Sequence, residues 1–384
     1  MSARDAVIVG AVRTPVGVGK SGKGDLDDIH PVDLSAHVIR ALVERTSVDP
    51  HEIEDVVWGC VSQVGEQAFN VARNSALAAG LPESVVGTTV DRQCGSSMQS
   101  LQFAAASLVA GHYDLAIAGG VEVMSRVPMF SNVGEADAFG SMNDRYEDRL
   151  VPQGISAELI ADKWGLSRTY LDDLAVASHE RAGAAQDAGL FAEEIAAVPS
   201  PDGLVERDQG IRPGTTVEKL ATLTTPFKED GVVTAGNASQ ISDGSAALLV
   251  TTSAKAAELG LTPLARLHSF ATAGVDPIMM LTGPIPATAK ILERSGLALS
   301  DMGAFEVNEA FASVLGAWYA ETGADPSLTN PLGGAMALGH PLGASGARIA
   351  TTLVHHMRRE RVRYALQTMC EGGGMANATI FELL

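Results

Sequence analysis

Two kinds of apolar pattern alternate along the chain. Short runs such as Asp55-Val-Val-Trp-Gly-Cys-Val-Ser, Tyr113-Asp-Leu-Ala-Ile-Ala-Gly-Gly and Ala304-Phe-Glu-Val-Asn-Glu-Ala-Phe end in small or polar residues and read as buried strands. Between them, apolar side chains recur every three or four residues. In VDRQCGSSMQSLQFAAASLVAG, residues 90–111, the side chains of Met98, Leu101, Ala105 and Leu108 mark one helical face, and Gly111 supplies a stop. The β-branched Thr88, Thr89 and Val90 precede it, so Cys94 falls at a strand-to-helix corner. A thiol beside the free N–H groups of a helix start is expected to have its pKa lowered, from about 8.5 to 7 or below. The alternative for such a cysteine is a small buried hydrophobe.

The same series of elements occurs twice. The run 55–62 matches 304–311, and Cys94-Gly-Ser-Ser opening an Ala-rich helix matches His340-Pro-Leu-Gly-Ala-Ser-Gly opening a helix over 347–354. The strand 113–120 matches 364–374, and 245–252 matches 377–383. In the second series the closing strand follows the glycines at once. In the first an insertion over about 121–237 intervenes, with helices expected at 156–164 and 169–188 and a turn at Pro201-Asp202-Gly203. The expected organisation is an N-terminal half, residues 1–262, carrying the insertion as a loop domain, and a C-terminal half, residues 263–384. Strands alternating with helices imply two α/β layers with mixed sheets packed on each other. Chemistry is then expected at strand-to-helix corners of both halves, at their junction.

Composition narrows the functional classes. The chain has 384 residues, 46% hydrophobic but only 5% aromatic, with 40 glycines, which suits close helix packing and close backbone approaches. A net charge of −19 argues against nucleic acid and anionic membrane surfaces as partners. A phosphorylated ligand would need arginines and lysines gathered locally. Three cysteines, without disulfide or zinc spacing, suggest a reducing, cytoplasmic setting. The opening MSARDAVIVGAVRTP lacks the long apolar core of a signal peptide, and the closing FELL is no peroxisomal address. No stretch approaches the roughly 20 apolar residues of a membrane span.

Four short segments set reactive or polar side chains among small residues: QCGSS at 93–97, VNEAFA at 307–312, GGAMALGHP at 333–341 and CEGGG at 370–374. A cysteine nucleophile needs a base and donors for an oxyanion. His340 and Asn308 are candidates for those tasks. Cys370, among glycines that bare backbone N–H groups, is a candidate proton carrier with a second oxyanion hole. Taken singly each has a structural alternative: His340 as a cap or core histidine, Asn308 as a turn residue, Cys370 as core like Cys60. His355-His356 lies in a basic helix end with Arg358, Arg359 and Arg361 and reads as a solvated face rather than a metal site; no metal is expected.

With AVRTPVG near the start, GGVEVMS, GNASQISDG, GPIPAT, NEAFA, GGAMALGHPLGASG and CEGGG, these blocks resemble, in order and nearly end to end, the signature blocks of the thiolase family. The resemblance implies an α/β fold, a five-layered αβαβα sandwich of two pseudo-repeated halves with an inserted loop domain. It implies Cys94 as the acyl-accepting nucleophile and His340 as the base that activates it. Asn308 would hold a water that, with His340, binds a thioester enolate oxygen. Cys370 would be the acid/base, and the backbone N–H groups of Cys94 and Gly372 the second oxyanion hole. Coenzyme A would be the co-substrate, with no permanently bound cofactor. Arg212 would lie near its adenine end, Ser239 beside its pantetheine and Met280 along the acyl tunnel. The strong acidity calls for local cations there, which Arg212 with Lys219 could supply, Lys219 standing where biosynthetic members carry a small polar residue.

Biosynthetic members carry a His-Met pair where this chain has Pro152 and Gln153. QGISAELIADKWGLSR is similar to actinobacterial degradative thiolases of fatty-acid and sterol-side-chain breakdown. The expected activity is therefore that of a 3-ketoacyl-CoA thiolase, cleaving with CoA to acetyl-CoA (or propionyl-CoA) and a shortened acyl-CoA. The alternative is an acetyl-CoA acetyltransferase condensing two acetyl-CoA. Ketoacyl-carrier-protein synthases share the implied fold but lack a cysteine at the Cys370 position. A homodimer or homotetramer is expected, although the oligomer-loop region, 131–149, is acidic here rather than basic.

Overall fold

The computed structural model describes residues 4–147, 149–201 and 203–384. Asp148 in the acidic segment, Asp202 of the expected turn and the first three residues of the opening segment lie outside the described residues. The chain opens with β1 (Val7–Arg13), β2 (Gly17–Val18), α1 (Pro31–Thr46), β3 (Asp55–Gly59), α2 (Val71–Ala78), β4 (Val86–Val90), α3 (Ser96–Ala110) and β5 (Leu115–Val123). An excursion follows, with α4 (Met142–Arg145), α5 (Gln153–Trp164), α6 (Arg168–Asp187), β6 (Val198–Ser200), β7 (Gly203–Val205) and α7 (Val217–Leu220). The chain then returns through β8 (Ser242–Thr251) and α8 (Ser253–Leu259). The second series is β9 (Ala265–Gly274), α9 (Pro284–Ser295), β10 (Ala304–Val307), α10 (Ala312–Thr322), α11 (Ala335–Leu338), α12 (Ser345–Glu360), β11 (Tyr364–Glu371) and β12 (Met375–Leu383).

The repeat is written into strand order. The main ladder runs β10-β11-β12-β9-β1-β8-β5-β3-β4. Read outward from its centre, both directions give two antiparallel pairings and then a parallel one: β1–β8, β8–β5, β5–β3 on one side and β9–β12, β12–β11, β11–β10 on the other. The expected two mixed sheets are thus joined edge to edge. They meet where Val7 pairs with Arg266 and Ile8 with Ala265.

Period-2 alternation sorts the layers. Ala116, Ala118, Leu248 and Val250 point to one side and pack with Met98, Leu101 and Leu108 of α3 and Ile349, Leu353 and Met357 of α12. Their neighbours Leu115, Ile117, Ala247 and Leu249 point to the other side, against Leu34, Val38 and Leu42 of α1. In the second half Leu366, Ala378 and Ile380 face Ile291 of α9 and Trp318 of α10, while Ala365, Met369 and Phe381 join the α3/α12 core. The result is five layers, helices–strands–helices–strands–helices, with α3 and α12 in the middle. Their closest approach needs Gly346, where a Cβ would sit 2.4 Å from the Met98 nitrogen.

Helix ends differ from the sequence expectation in instructive ways. The helix expected over 347–354 runs from Ser345 to Glu360, because Met357 carries its buried face one turn further and Arg358 and Arg359 suit a helix C-terminus. His355 and His356 are half-buried rather than on a solvated face, and His355 Nε2 donates to the Ala11 carbonyl at 3.2 Å. Among the described residues no group of His, Cys, Asp and Glu is arranged to hold a metal, and no helix is long and apolar enough to cross a membrane. The excursion between β5 and β8 lies partly across the second half: α5 packs on α10, and α6 on α10 and α11. Its far end is tied to β1 by the wholly buried Arg13, whose Nε donates to Glu194 at 2.6 Å and whose two Nη atoms donate to Asp208 at 2.7 and 2.9 Å.

Candidate active site

Cys94 sits two residues before α3, in a tight turn closed by Gly95 N–H to Arg92 O and Ser96 N–H to Gln93 O, both 3.0 Å. Gln93 takes the left-handed conformation, φ 49°, that this turn requires. The thiol is 2% exposed and packs with Val61, Met124 and Leu342. Burial pushes the Cys94 thiol well up, with the Cys370 and Glu371 charges adding to it. Its own N–H and that of Gly372 pull the other way. The lowered thiol expected from the helix start is therefore overturned. Gly95, not Cys94, is the helix cap, and desolvation of the sulfur outweighs the helix-end charge.

His340 follows the short α11 and is buried. Its backbone N–H is held by the Ser242 hydroxyl at 3.0 Å and the Gln240 carbonyl at 3.1 Å. The ring Nδ1 lies 2.5 Å from Ser345 Oγ, which itself donates to the Pro341 carbonyl at 2.9 Å. With the hydroxyl proton committed to Pro341, Ser345 accepts from Nδ1–H, and Nε2 keeps its lone pair. Burial, and then the nearby Arg348 charge, push the His340 pKa down to about 3. The ring is thus a neutral imidazole with an available nitrogen.

Asn308 follows β10 and joins the two sites of proton chemistry. Its Nδ2 is 3.5 Å from His340 Nε2 and 3.8 Å from Cys370 Sγ, and its Oδ1 has no partner. Cys370, near the end of β11, is fully buried, and burial pushes its thiol up to about 12, with the Asn308 amide opposing. Met280 shares an apolar cluster with Cys370, Ala310 and Phe311.

Cys94, His340, Asn308, Cys370 and Gly372 therefore come together from both halves, and Met280 lies against them. Ser239 is one step out: its N–H donates to Ala310 O at 2.9 Å. Arg212 is exposed, its Nη2 3.4 Å from Gln240 Oε1, while the Gln240 carbonyl holds His340. Lys219 is also exposed and donates to the Gly214 carbonyl at 2.6 Å. No sequence argument singled out Ser345, Ser242 or Gln240. Their task is to orient His340, and only Ser345, five residues on at the start of the next helix, left a local signal.

One further anchor joins the halves. Glu122, buried at the end of β5, accepts from the backbone N–H groups of Val61 and Ser62 at 3.0 Å, from Gly343 at 2.8 Å and from Gln67 Nε2 at 2.8 Å. It fixes the loop after His340 to the strand end beside Cys60.

The profile of the thiolase N-terminal domain matches residues 6–254, and that of the thiolase C-terminal domain matches 261–383. A steroid 3-ketoacyl-CoA thiolase, FadA6 of Mycobacterium tuberculosis, is 49% identical over 99% of this chain and 94% of its own. A 3-ketoacyl-CoA thiolase of Erwinia tasmaniensis is 46% identical over 98% of both chains. Among solved structures, the acetyl-CoA acetyltransferase of Bacillus anthracis superposes with a TM-score of 0.90 at 37% identity, covering 100% of this chain and 99% of that one.

Proposed function

The chain belongs to the thiolase family, and from that premise we propose that it is a 3-ketoacyl-CoA thiolase working in the direction of cleavage, with coenzyme A as co-substrate. The observation that carries the reading is that Asn308 bridges the His340 imidazole and the Cys370 thiol, while the buried Cys94 thiol faces Cys370 and the Gly372 N–H. In the cleavage step Cys94 Sγ attacks the 3-keto carbon while His340 Nε2 takes its proton. Both groups start neutral, so charge separates only as the carbonyl oxygen turns negative in front of the Cys94 and Gly372 N–H groups. One such oxyanion donor is worth about two to three powers of ten in rate. The Cα–Cβ bond then breaks, its electron pair passing to an acetyl-CoA enolate whose oxygen faces the His340–Asn308 pair. Cys370 gives that carbanion its proton. Incoming CoA passes its thiol proton to Cys370 and attacks the Cys94 thioester, and Cys94 recovers its proton from His340. Arg212, Ser239 and Met280 are assigned to the adenine end, the pantetheine and the tunnel wall of the CoA site.

Names of the relatives support a fatty-acid or steroid-derived 3-ketoacyl chain as substrate. The second reading, an acetyl-CoA acetyltransferase, is favoured by the Bacillus anthracis structure and opposed by Pro152-Gln153 in place of His-Met. A single comparison separates them. Purified protein is expected to consume a medium-chain 3-ketoacyl-CoA, CoA-dependently, faster than acetoacetyl-CoA, and Cys94→Ala to abolish both. Equal or better use of acetoacetyl-CoA would favour the second reading. We also assign a homodimer or homotetramer, supported by β4 at the sheet edge with Val86 57% exposed, and by Phe69, 93% exposed, before the helix that packs on it. Three free cysteines support a cytoplasmic setting.

A further inference from the structure

Glu371 follows Cys370 on β11 and is fully buried, yet neither carboxyl oxygen has a hydrogen-bond partner. Glu122, equally buried, accepts from four donors. The Glu371 carboxyl lies against the residue after the nucleophile: a Cβ on Gly95 would sit 2.0 Å from its Oε1 and 2.9 Å from Asn377 Nδ2. That contact sets it beside the turn that carries Cys94, next in sequence to Cys370, and its charge opposes ionisation of both sulfurs. A carboxylate so placed would be unpaired in a dry site, whereas a neutral acid is tolerated there.

We propose that Glu371 is a positioning residue of the thiol pair: held as the neutral acid, it keeps the pocket free of standing negative charge so that Cys94 and Cys370 can ionise in turn, and its own ionisation closes the site at alkaline pH. Burial pushes its pKa up to about 8; of the charged groups facing it, Arg92 opposes the rise and Asp91 adds to it, both from the loop before α3. Cys94 and Cys370 are its titratable neighbours across that loop and on its own strand, and Asn377 on β12 is uncharged.

For its kinetic readout the proposal rests on the thiolase reading; for its labelling readout it does not. Thiolysis in the wild type is expected to show an alkaline limb near pH 8 that moves up by about one unit or more in Glu371→Gln and persists in Glu371→Asp. Independently, iodoacetamide labelling of Cys94, followed by mass spectrometry, is expected to rise between pH 7 and 9.5 roughly tenfold more steeply in Glu371→Gln, the effect of removing one nearby unit charge. Arg92→Gln, which leaves the core untouched, should move the limb upward as well. Identical labelling slopes in wild type and Glu371→Gln, or a fall in kcat that is uniform across pH, would overturn the proposal. Absent thiolysis with the labelling contrast intact would sink the functional reading and leave the role of Glu371 standing.

Discussion

At Cys94 two effects of opposite sign act on one sulfur. The residue type and the strand-to-helix corner are local and visible in the chain, and they favour a thiolate. Enclosure by Val61, Met124 and Leu342 arrives only with the fold, and it favours the thiol. Desolvation wins, so in the proposed mechanism activation comes from a base at the moment of attack rather than from a resting thiolate. This shifts the burden to His340 and to whatever fixes its tautomer. Ser345 does so with a single hydrogen bond of 2.5 Å to Nδ1. Replacing it by alanine strands a buried donor, a loss of about 1–3 kcal/mol, so Ser345→Ala is expected to lower kcat roughly 10- to 100-fold with KM little changed. Steady-state kinetics checks this, and an unaltered kcat would mean that Nδ1 needs no partner.

Elements were legible where burial follows a local period. The strands around Val56, Ile117 and Leu366 follow from short apolar runs and the face of α3 from helical spacing, and comparing the two series aligned β3 with β10 and β5 with β11. The continuation of α12 to Glu360 was missed although Met357 carries its apolar face three residues beyond Val354; the polar His355-His356 interrupts the run, and the last turn rests on charge at a helix end. The seating of the excursion on α10 and α11 was not legible, since it depends on contacts between residues far apart in the chain. The four residues proposed for the chemistry were legible from their motifs, whereas Ser242, Gln240 and Glu122 hold backbone N–H groups of residues distant in the chain, and such contacts leave no sequence signal. Arg13 shows how much one element depends on another. It ends β1 and is the sole hydrogen-bonding cation on Glu194 and Asp208 among the described residues. Arg13→Leu leaves the buried Glu194 and Asp208 carboxylates without their hydrogen-bonded guanidinium, and removal of one member of such a group costs about 3–5 kcal/mol. Denaturant unfolding should show that loss, with early proteolytic cleavage between 190 and 210. Arg13→Lys should not restore stability, since a single ammonium cannot reproduce the forked contact; full recovery with lysine would reduce Arg13 to a point charge.

Across the whole molecule, the groups that the five layers bury in their neutral forms set how stability responds to pH. Burial holds the His340 and His179 pKa values down to about 3 and about 4. An unfolded histidine binds its proton near pH 6.5, so their contribution is complete above that and is lost as pH falls toward 4. Burial holds the Glu306 and Glu371 carboxyls up to about 8 each. An unfolded glutamic acid ionises near pH 4.3, so their contribution is complete below that and is lost as pH rises to 8. Between roughly pH 4.5 and 6.5 the two trends oppose each other. Above that window only the acids act, each removing about 1.4 kcal/mol per pH unit until its own ionisation. Urea unfolding at about pH 5.5, 7 and 8 is therefore expected to show stability falling on the alkaline side. Glu306, beside Arg348 and away from the thiols, isolates the effect. Glu306→Gln should flatten the slope between pH 7 and 8 by about 1 kcal/mol per unit, since the acid is already partly ionised there. An unchanged slope would mean that the interior carries Glu306 as a carboxylate paired with Arg348, and the alkaline loss would then have to come from the other buried acids, Glu371, Glu122 and Glu309.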